Sequence, residues 1–214
     1  MNDTSTISLD GTAYAVDDDP IFLDALALTL QNAGLDVRAY RSGKDFLRSY
    51  RTDGVPCCLV LDVSLPDLNG LEVQQELAAR GDPLPIVFLT GHGDVSTSVA
   101  ALKNGAFHFL EKPIDEDELL RSVGEALSWH RQRRESEQQN AGVLRKFQTL
   151  TARERQIMSM VVRDNSSKQI ARELGISPRT VEHHRAHIMK KMDATSLNEL
   201  VIMSVICGVR ELRL

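Results

Sequence analysis

Long hydrophobic runs are missing from this chain. The longest, LVIMSVICGV, is too short to span a bilayer and carries a serine and a glycine. The first residues, MNDTSTISLDG, hold neither a basic stretch nor an apolar core, so they are not read as a signal peptide. Cysteine is scarce, with three in 214 residues, which excludes a disulfide framework. Cys57 and Cys58 are adjacent and would face opposite sides of a strand, and Cys207 lies in a distant apolar segment. All three are read as small buried side chains in a reducing compartment, and a cytoplasmic protein is expected. No internal repeat and no low-complexity tract is present, so solenoids and disordered tails are set aside.

What is present is an uneven distribution of charge. The net charge of -5 argues against nucleic acid if taken whole. Residues 1–144, however, carry 12 Lys/Arg against 23 Asp/Glu, whereas residues 145–214 carry 13 against 7, with His183, His184 and His187 besides. Two domains with different partners are implied, the basic one suited to a polyanion.

Between residues 12 and 127 short apolar runs alternate with amphipathic segments. TAYAV, DVRAY, CCLVL, PIVFL and AFHFL fit strands, and three of them are nearly continuous hydrophobics, as strands buried on both faces require. Helical patterns fall at 21–32, 44–50, 70–79, 96–104 and 116–129. This alternation implies a doubly wound α/β sheet whose ligand site lies at the carboxyl ends of its strands. WHRQRRESEQQNAG reads as the last helix running into a solvated linker broken near Gly142. Beyond it only helical periods occur, at 152–163, 167–174, 178–192 and 197–207.

The segment AVDDDP sets three carboxylates at the end of an apolar run. Asp19 precedes Pro20, and Asp at the N-cap with Pro at the first helical position is a strong helix start. Asp17 and Asp18 are left at the mouth of the first strand, and Asp62 closes the third. With those strands adjacent, Asp17, Asp18 and Asp62 converge at one sheet edge and suit a hard cation such as Mg²⁺. Thr90 ends the fourth strand and Lys112 follows the fifth, directly before Pro113, where a cis bond would aim the ammonium inward. An ammonium beside carboxylates and Mg²⁺ can neutralise a transferred phosphoryl group, and a hydroxyl can donate to one of its oxygens. These are the parts needed for an aspartyl-phosphate.

In that order, the residues resemble the receiver domain of two-component response regulators, over nearly all of 10–130. The resemblance implies a flavodoxin-like sheet order 2-1-3-4-5 and a phosphoacceptor at Asp62, served by a sensor histidine kinase. It further implies that Asp18, Asp62 and the backbone carbonyl of Ser64 ligate Mg²⁺ directly and that Asp17 acts through water. Thr90 would swing toward the phosphate and Phe109 would turn inward. Phe109 stands where many receivers have Tyr, so it offers no hydroxyl there. Val63, Ser64 and His92 occupy positions that modulate phosphate lifetime in that family.

In the basic part, SSKQIARELGISPRTVEHHRAHIMKKM reads as helix, turn at Gly175, helix. Ser177 and Pro178 mark the second start, Val181, Ile188 and Met192 its inner stripe, and Ile170, Ala171 and Leu174 the core face of the first helix. LTARE, KQIA, LGIS, TVE-H and the final KM make this all-α segment similar to LuxR-type helix-turn-helix DNA-binding domains, specifically the FixJ branch of the NarL/FixJ regulators. TGHGDV and EKP in the acidic part support the same branch. Asp164 lies where many relatives have Gly, and Asp can also take a left-handed turn. On the second helix Glu182 can accept from a cytosine amino group, His183 can meet a base edge, and Ala186 can touch a thymine methyl. Lys168, Arg179, Thr180, Arg185 and Lys190 are read as phosphate contacts. The terminal helix, with Leu197, Val201, Val205 and Cys207, is more apolar than one small core needs and resembles the dimerisation element of that family.

The expectation is a receiver at 10–128, a helical linker at 129–146 and a DNA-binding domain at 147–214. It would bind Mg²⁺, its kinase, double-stranded DNA and RNA polymerase, without membrane contact. Phosphorylation would drive dimerisation on a two-fold symmetric site. Apart from its own phosphotransfer and autodephosphorylation it would be no enzyme. An Mg²⁺-dependent aspartyl-phosphate phosphatase is the rival, but Ser64 stands where that class wants a second Asp. A LuxR-type sensor of a small molecule ranks lower, because no ligand-cavity pattern is evident.

Overall fold

The computed structural model describes residues 9–51, 54–81, 84–91 and 105–209. The chain divides into two compact units, Met1–Arg134 and Glu135–Leu214.

In the first unit five parallel strands form one sheet: β1 (Thr12–Val16), β2 (Asp36–Tyr40), β3 (Cys57–Asp62), β4 (Ile86–Thr90) and β5 (His108–Glu111), in the order β2-β1-β3-β4-β5. The α/β fold and the order 2-1-3-4-5 expected from the sequence are therefore present. β1, β3 and β4 are buried along their whole length. Alternate residues feed two cores, as the pleat dictates. Tyr14, Leu61 and Phe88 pack with Phe46 and Val73 on one face, and Ala15, Val60 and Leu89 pack with Leu26 and Leu127 on the other.

The helices on these faces begin where side chains can cap them. α1 (Pro20–Asn32) starts at Asp19, whose carboxylate accepts from the amides of Ile21 and Phe22 at 2.9 and 3.3 Å. α2 (Gly43–Ser49) is capped by Ser42. α3 (Gly70–Ala79) opens with a capping box between Asn69 and Glu72, which satisfies two orphan donors at once. The expected helix at 96–104 and His92 lie outside the described residues.

α4 (Glu116–Gln148) runs for 33 residues, which corrects the break expected near Gly142. One glycine in a helix costs about 1 kcal/mol relative to alanine, and the surrounding helix formers outweigh it. In its first half Leu119, Val123, Ala126 and Leu127 join the core. His130 is buried, and its Nδ1 accepts from the Cys57 amide at 2.8 Å, tying α4 to the start of β3.

The second unit holds α5 (Ala152–Val161), α6 (Ser167–Leu174), α7 (Pro178–Met192) and α8 (Leu197–Ile206) around Ile157, Met158, Ile170, Val181, Ile188 and Met192. α5 ends two residues earlier than its periodicity suggests. Asp164 then adopts a left-handed φ of 67°, so the turn forms without glycine, as expected. Thr151 and Glu154 make a capping box, and Lys191 donates to the buried Glu154 at 2.6 Å. Gly175 ends α6 in the left-handed region (φ 64°), where a side chain would be strained. Among the described residues no helix is long and apolar enough to cross a membrane.

Candidate functional site

The strand register assembles the acidic site. Val16 pairs with Leu61, so the residues that follow them, Asp17 and Asp62, emerge side by side at the carboxyl edge. Asp62 in turn pairs with Leu89, and Thr90 with Glu111, which sets Thr90 and Lys112 beside the acids. One carboxylate oxygen from each of Asp17, Asp18 and Asp62 lies within 4.8 Å of the others. Asp17 and Asp62 are buried and Asp18 is exposed at the rim.

Lys112 closes the group. Its peptide bond to Pro113 is cis. Its Nζ donates to Asp17 Oδ2 at 2.6 Å and lies 3.3 Å from Asp62 Oδ1. The ammonium also sits 4.2 Å from the centre of the Phe22 ring, a cation–π contact. Burial penalises the Lys112 charge, but the bond to Asp17 and the field of Asp62 outweigh it and hold the pKa above the ordinary lysine value. For Asp62 the balance runs the other way. Burial, reinforced by Asp17 and Asp18, prevails over Lys112 and lifts the carboxyl above its usual range.

Thr90 is buried at the end of β4, and its carbonyl accepts from the Lys112 amide at 2.7 Å. Ser64 follows β3 at an exposed position. Phe109 is partly buried against the core, with its ring centre 6.3 Å from that of Phe88. Two contributors escaped the sequence reading. Gly70 is one, since a Cβ there would lie 2.7 Å from the Asp62 carbonyl, so only glycine lets α3 start against the phosphoacceptor candidate. Asp67 is the other: it accepts from Ser42 Oγ and from the Gly43 and Lys44 amides, tying the loop after β3 to the start of α2, and these bonds lower its pKa despite some burial. The signal for both was LPDLNG, a loop rich in turn formers directly after Asp62.

The donor set fits a small hard cation. All three candidates are carboxylate oxygens, and an octahedral Mg²⁺ sphere sets its oxygens at most roughly 4.2 Å apart. The observed spread needs only small side-chain movements to reach that. A bound ion would offset the repulsion that Asp18 adds and polarise a phosphoryl oxygen.

The second unit presents a polar face on α7. Arg179, Thr180, Glu182, His183, Ala186, His187 and Lys190 are exposed, opposite the buried Val181, Ile188 and Met192. Lys168 is exposed on α6, and Arg185 is half-buried. Three of these side chains hydrogen-bond within the unit. Glu182 accepts from Ser167 Oγ, and the Thr180 hydroxyl bonds Ser177 Oγ at 2.8 Å. Arg185 Nη1 reaches Ser167 Oγ at 3.5 Å. His187 was not among the expected contacts, yet it shares the exposed face. On the terminal helix Leu200 and Met203 are buried, Leu197 is exposed, and Val201 and Val205 are half-buried.

Comparison with known proteins agrees with both halves. Residues 14–124 match the family described as response regulator receiver domain, and residues 148–204 match bacterial regulatory proteins, luxR family. Nodulation protein W of Bradyrhizobium diazoefficiens is 42% identical over 196 residues, covering 92% of this chain and 86% of that protein. The transcriptional regulatory protein FixJ of Azorhizobium caulinodans is 41% identical, covering 92% of each chain. The solved structure of the response regulator StyR superposes with a TM-score of 0.82 at 38% identity, covering 92% of this chain and 99% of that one. The chain therefore belongs to the two-component response regulators that join a receiver domain to a LuxR-family DNA-binding domain, and it is a transcriptional regulator of the FixJ type.

Proposed function

We propose that Asp62 accepts a phosphoryl group from the phosphohistidine of a sensor kinase and that the modified protein dimerises on a two-fold symmetric DNA site. A carboxylate oxygen of Asp62 bonds to phosphorus as the phosphorus–nitrogen bond to the kinase histidine breaks. Asp17, Asp18, Asp62 and the Ser64 carbonyl would hold Mg²⁺, whose charge neutralises the transferring oxygens. Lys112 supplies the second positive charge, and the Thr90 hydroxyl donates to a phosphoryl oxygen once it moves inward. Phe109 follows into the space that Thr90 leaves. The observation that carries this reading is the meeting of three acids from two adjacent strands with one ammonium that bridges two of them.

The charge added at Asp62 then biases a conformational equilibrium of the receiver, which pairs with a second copy. Two basic units brought together bind two half-sites at once, and the gain is one of effective concentration. Arg179, Thr180, Arg185, Lys168 and Lys190 grip phosphates, while Glu182, His183 and Ala186 face base edges. RNA polymerase would be engaged at the promoter. In this scheme the protein catalyses only its own phosphotransfer and autodephosphorylation.

Acetyl phosphate with Mg²⁺ should give a Phos-tag-shifted species in the wild type and none in Asp62→Asn. Analytical ultracentrifugation with beryllofluoride should show the mass doubling and the affinity for DNA rising together. If both stay constant, the dimer switch is wrong. Sequencing DNA selected from a random pool would define the half-sites.

A further inference from the structure

The exposed face of α7 carries a pair of side chains of which one, His187, has no part in the proposed reading of base edges. His183 and His187 are one helical turn apart, both are exposed, and their ring centres are 4.2 Å apart at an interplanar angle of 55°. His184 lies farther off, with its ring centre 6.4 Å from that of His183. Side chains four residues apart stack on one face of a helix. Two histidines at that spacing are the arrangement by which helices chelate zinc.

We propose that His183 and His187 form a two-imidazole site for a borderline transition-metal ion of the Zn²⁺, Ni²⁺ or Cu²⁺ class, and that metal and DNA compete for this face. Each neutral ring donates one nitrogen lone pair, and water fills the remaining positions. Nitrogens bound to a common tetrahedral zinc at the usual bond lengths sit about 3.3 Å apart, a distance two rings this close can reach by turning about their χ angles. The electrostatic surroundings sharpen the choice of ion. Arg179 and Lys190 lie one turn before and after the pair on the same helix, and the single acid of α7, Glu182, is hydrogen-bonded by Ser167. With two cationic side chains against one carboxylate the local field does not favour a cation, so a hard ion such as Mg²⁺ gains little here. An ion that gains from imidazole coordination does. The first unit offers the reverse set, three carboxylates, and the two sites would sort metals by donor type.

Occupancy takes His183 out of contact with DNA and adds a hydrated ion to the surface that enters the groove. This consequence rests on α7 being the DNA-reading helix, whereas the metal site itself does not.

The test uses the untagged full-length protein in excess Mg²⁺, with Zn²⁺ as the probe. Calorimetric titration should show one Zn²⁺ per chain that His187→Gln does not take up, and a nickel-chelate column should retain the wild type more strongly than the variant. Adding Zn²⁺ should weaken wild-type affinity for duplex DNA about tenfold, comparable to losing one good base contact, with recovery on chelation and no change in His187→Gln. Equal Zn²⁺ uptake by the two proteins overturns the site. Unequal uptake with metal-independent DNA affinity overturns the competition. Failure of the beryllofluoride-activated, Zn²⁺-free wild type to bind any duplex overturns the assignment of α7 as reading helix, and the uptake comparison still decides the site.

Discussion

Lys112 sits closer to Asp17 than to Asp62: its Nζ is 2.6 Å from the first carboxylate and 3.3 Å from the second. One cation thus serves two buried acids, with Asp18 at their rim, and the group carries an excess of negative charge. The excess has a cost in stability that a bound cation or a neutral replacement would relieve.

Asp62→Asn should therefore stabilise the first unit while abolishing phosphorylation. Burial and the neighbouring acids raise the Asp62 pKa in the folded state, so folded protein holds the proton to higher pH than unfolded protein does. The destabilisation is absent at low pH and develops as the pH rises through the unfolded and then the folded pKa. The gain for Asp62→Asn should be present near neutrality and vanish in acid, as read from urea melts at both ends. Lys112→Met should do the opposite, costing roughly 2 kcal/mol, because it strands two acids.

Mg²⁺ should stabilise the wild type against unfolding by mass action, reaching about 2.7 kcal/mol at a hundredfold excess over its dissociation constant. Asp18→Asn should reduce this gain even though Asp18 is exposed and contributes little to packing. Differential scanning calorimetry across a Mg²⁺ series would measure it. A gain of equal size in Asp18→Asn would remove that residue from the ligand set.

Much of this arrangement was legible in the sequence because it depends on short-range patterns. Continuous apolar runs such as CCLVL mark strands covered on both faces, and an acid at the end of such a run must emerge at the sheet edge. Asp19 and Ser177, each followed by Pro, announced their helices. Long-range pairings were harder to see. Nothing near Cys57 predicts that its amide donates to His130, and nothing near Thr151 predicts that Lys191 covers the Glu154 carboxylate. Gly142 differs in kind: a local breaker signals a helix end, but the helix formers on both sides carry α4 through it. The Ser167–Glu182 bond is likewise invisible in the sequence, because the two residues lie on different helices.

The Glu154–Lys191 pair gives the second unit its own acid sensitivity. Desolvation disfavours the Glu154 charge, but bonds from Lys191 and from the Thr151 amide and hydroxyl overcome this and hold its pKa at about 2. A depressed carboxyl pKa contributes stability that is full above the unfolded value, near 4.5, and is lost as the pH falls toward 2. Glu154→Gln should flatten the loss in that window and cost roughly 1–3 kcal/mol at neutrality, since Lys191 then lacks its charged partner and keeps only the longer bond to the Thr149 carbonyl. Tryptophan fluorescence is a poor probe, because the single Trp129 lies in the first unit, so circular dichroism of the melt is preferred.

If α7 reads DNA as proposed, two substitutions on it should fail in different ways. Lys190 is exposed, and its ammonium carries no information about the base sequence. Lys190→Ala should weaken binding to every duplex by a similar factor and lower the slope of log affinity against log salt by about 1, one fewer counterion being released. Glu182 is held by Ser167, which keeps one carboxylate oxygen on the first helix and fixes the direction of the other. In the proposed complex a carboxylate held this way would accept from the amino group of cytosine, and an amide in its place offers a donor as well as an acceptor. Glu182→Gln should thus leave the salt slope unchanged and relax preference at one position per half-site, by about 1–3 kcal/mol of discrimination. Ser167→Ala should give a weaker version of the same change, because the acceptor remains but its orientation is lost. Binding to a panel of single-base variants at two salt concentrations separates these outcomes. If Glu182→Gln lowers affinity evenly across the panel, Glu182 stabilises the helix pair and reads no base.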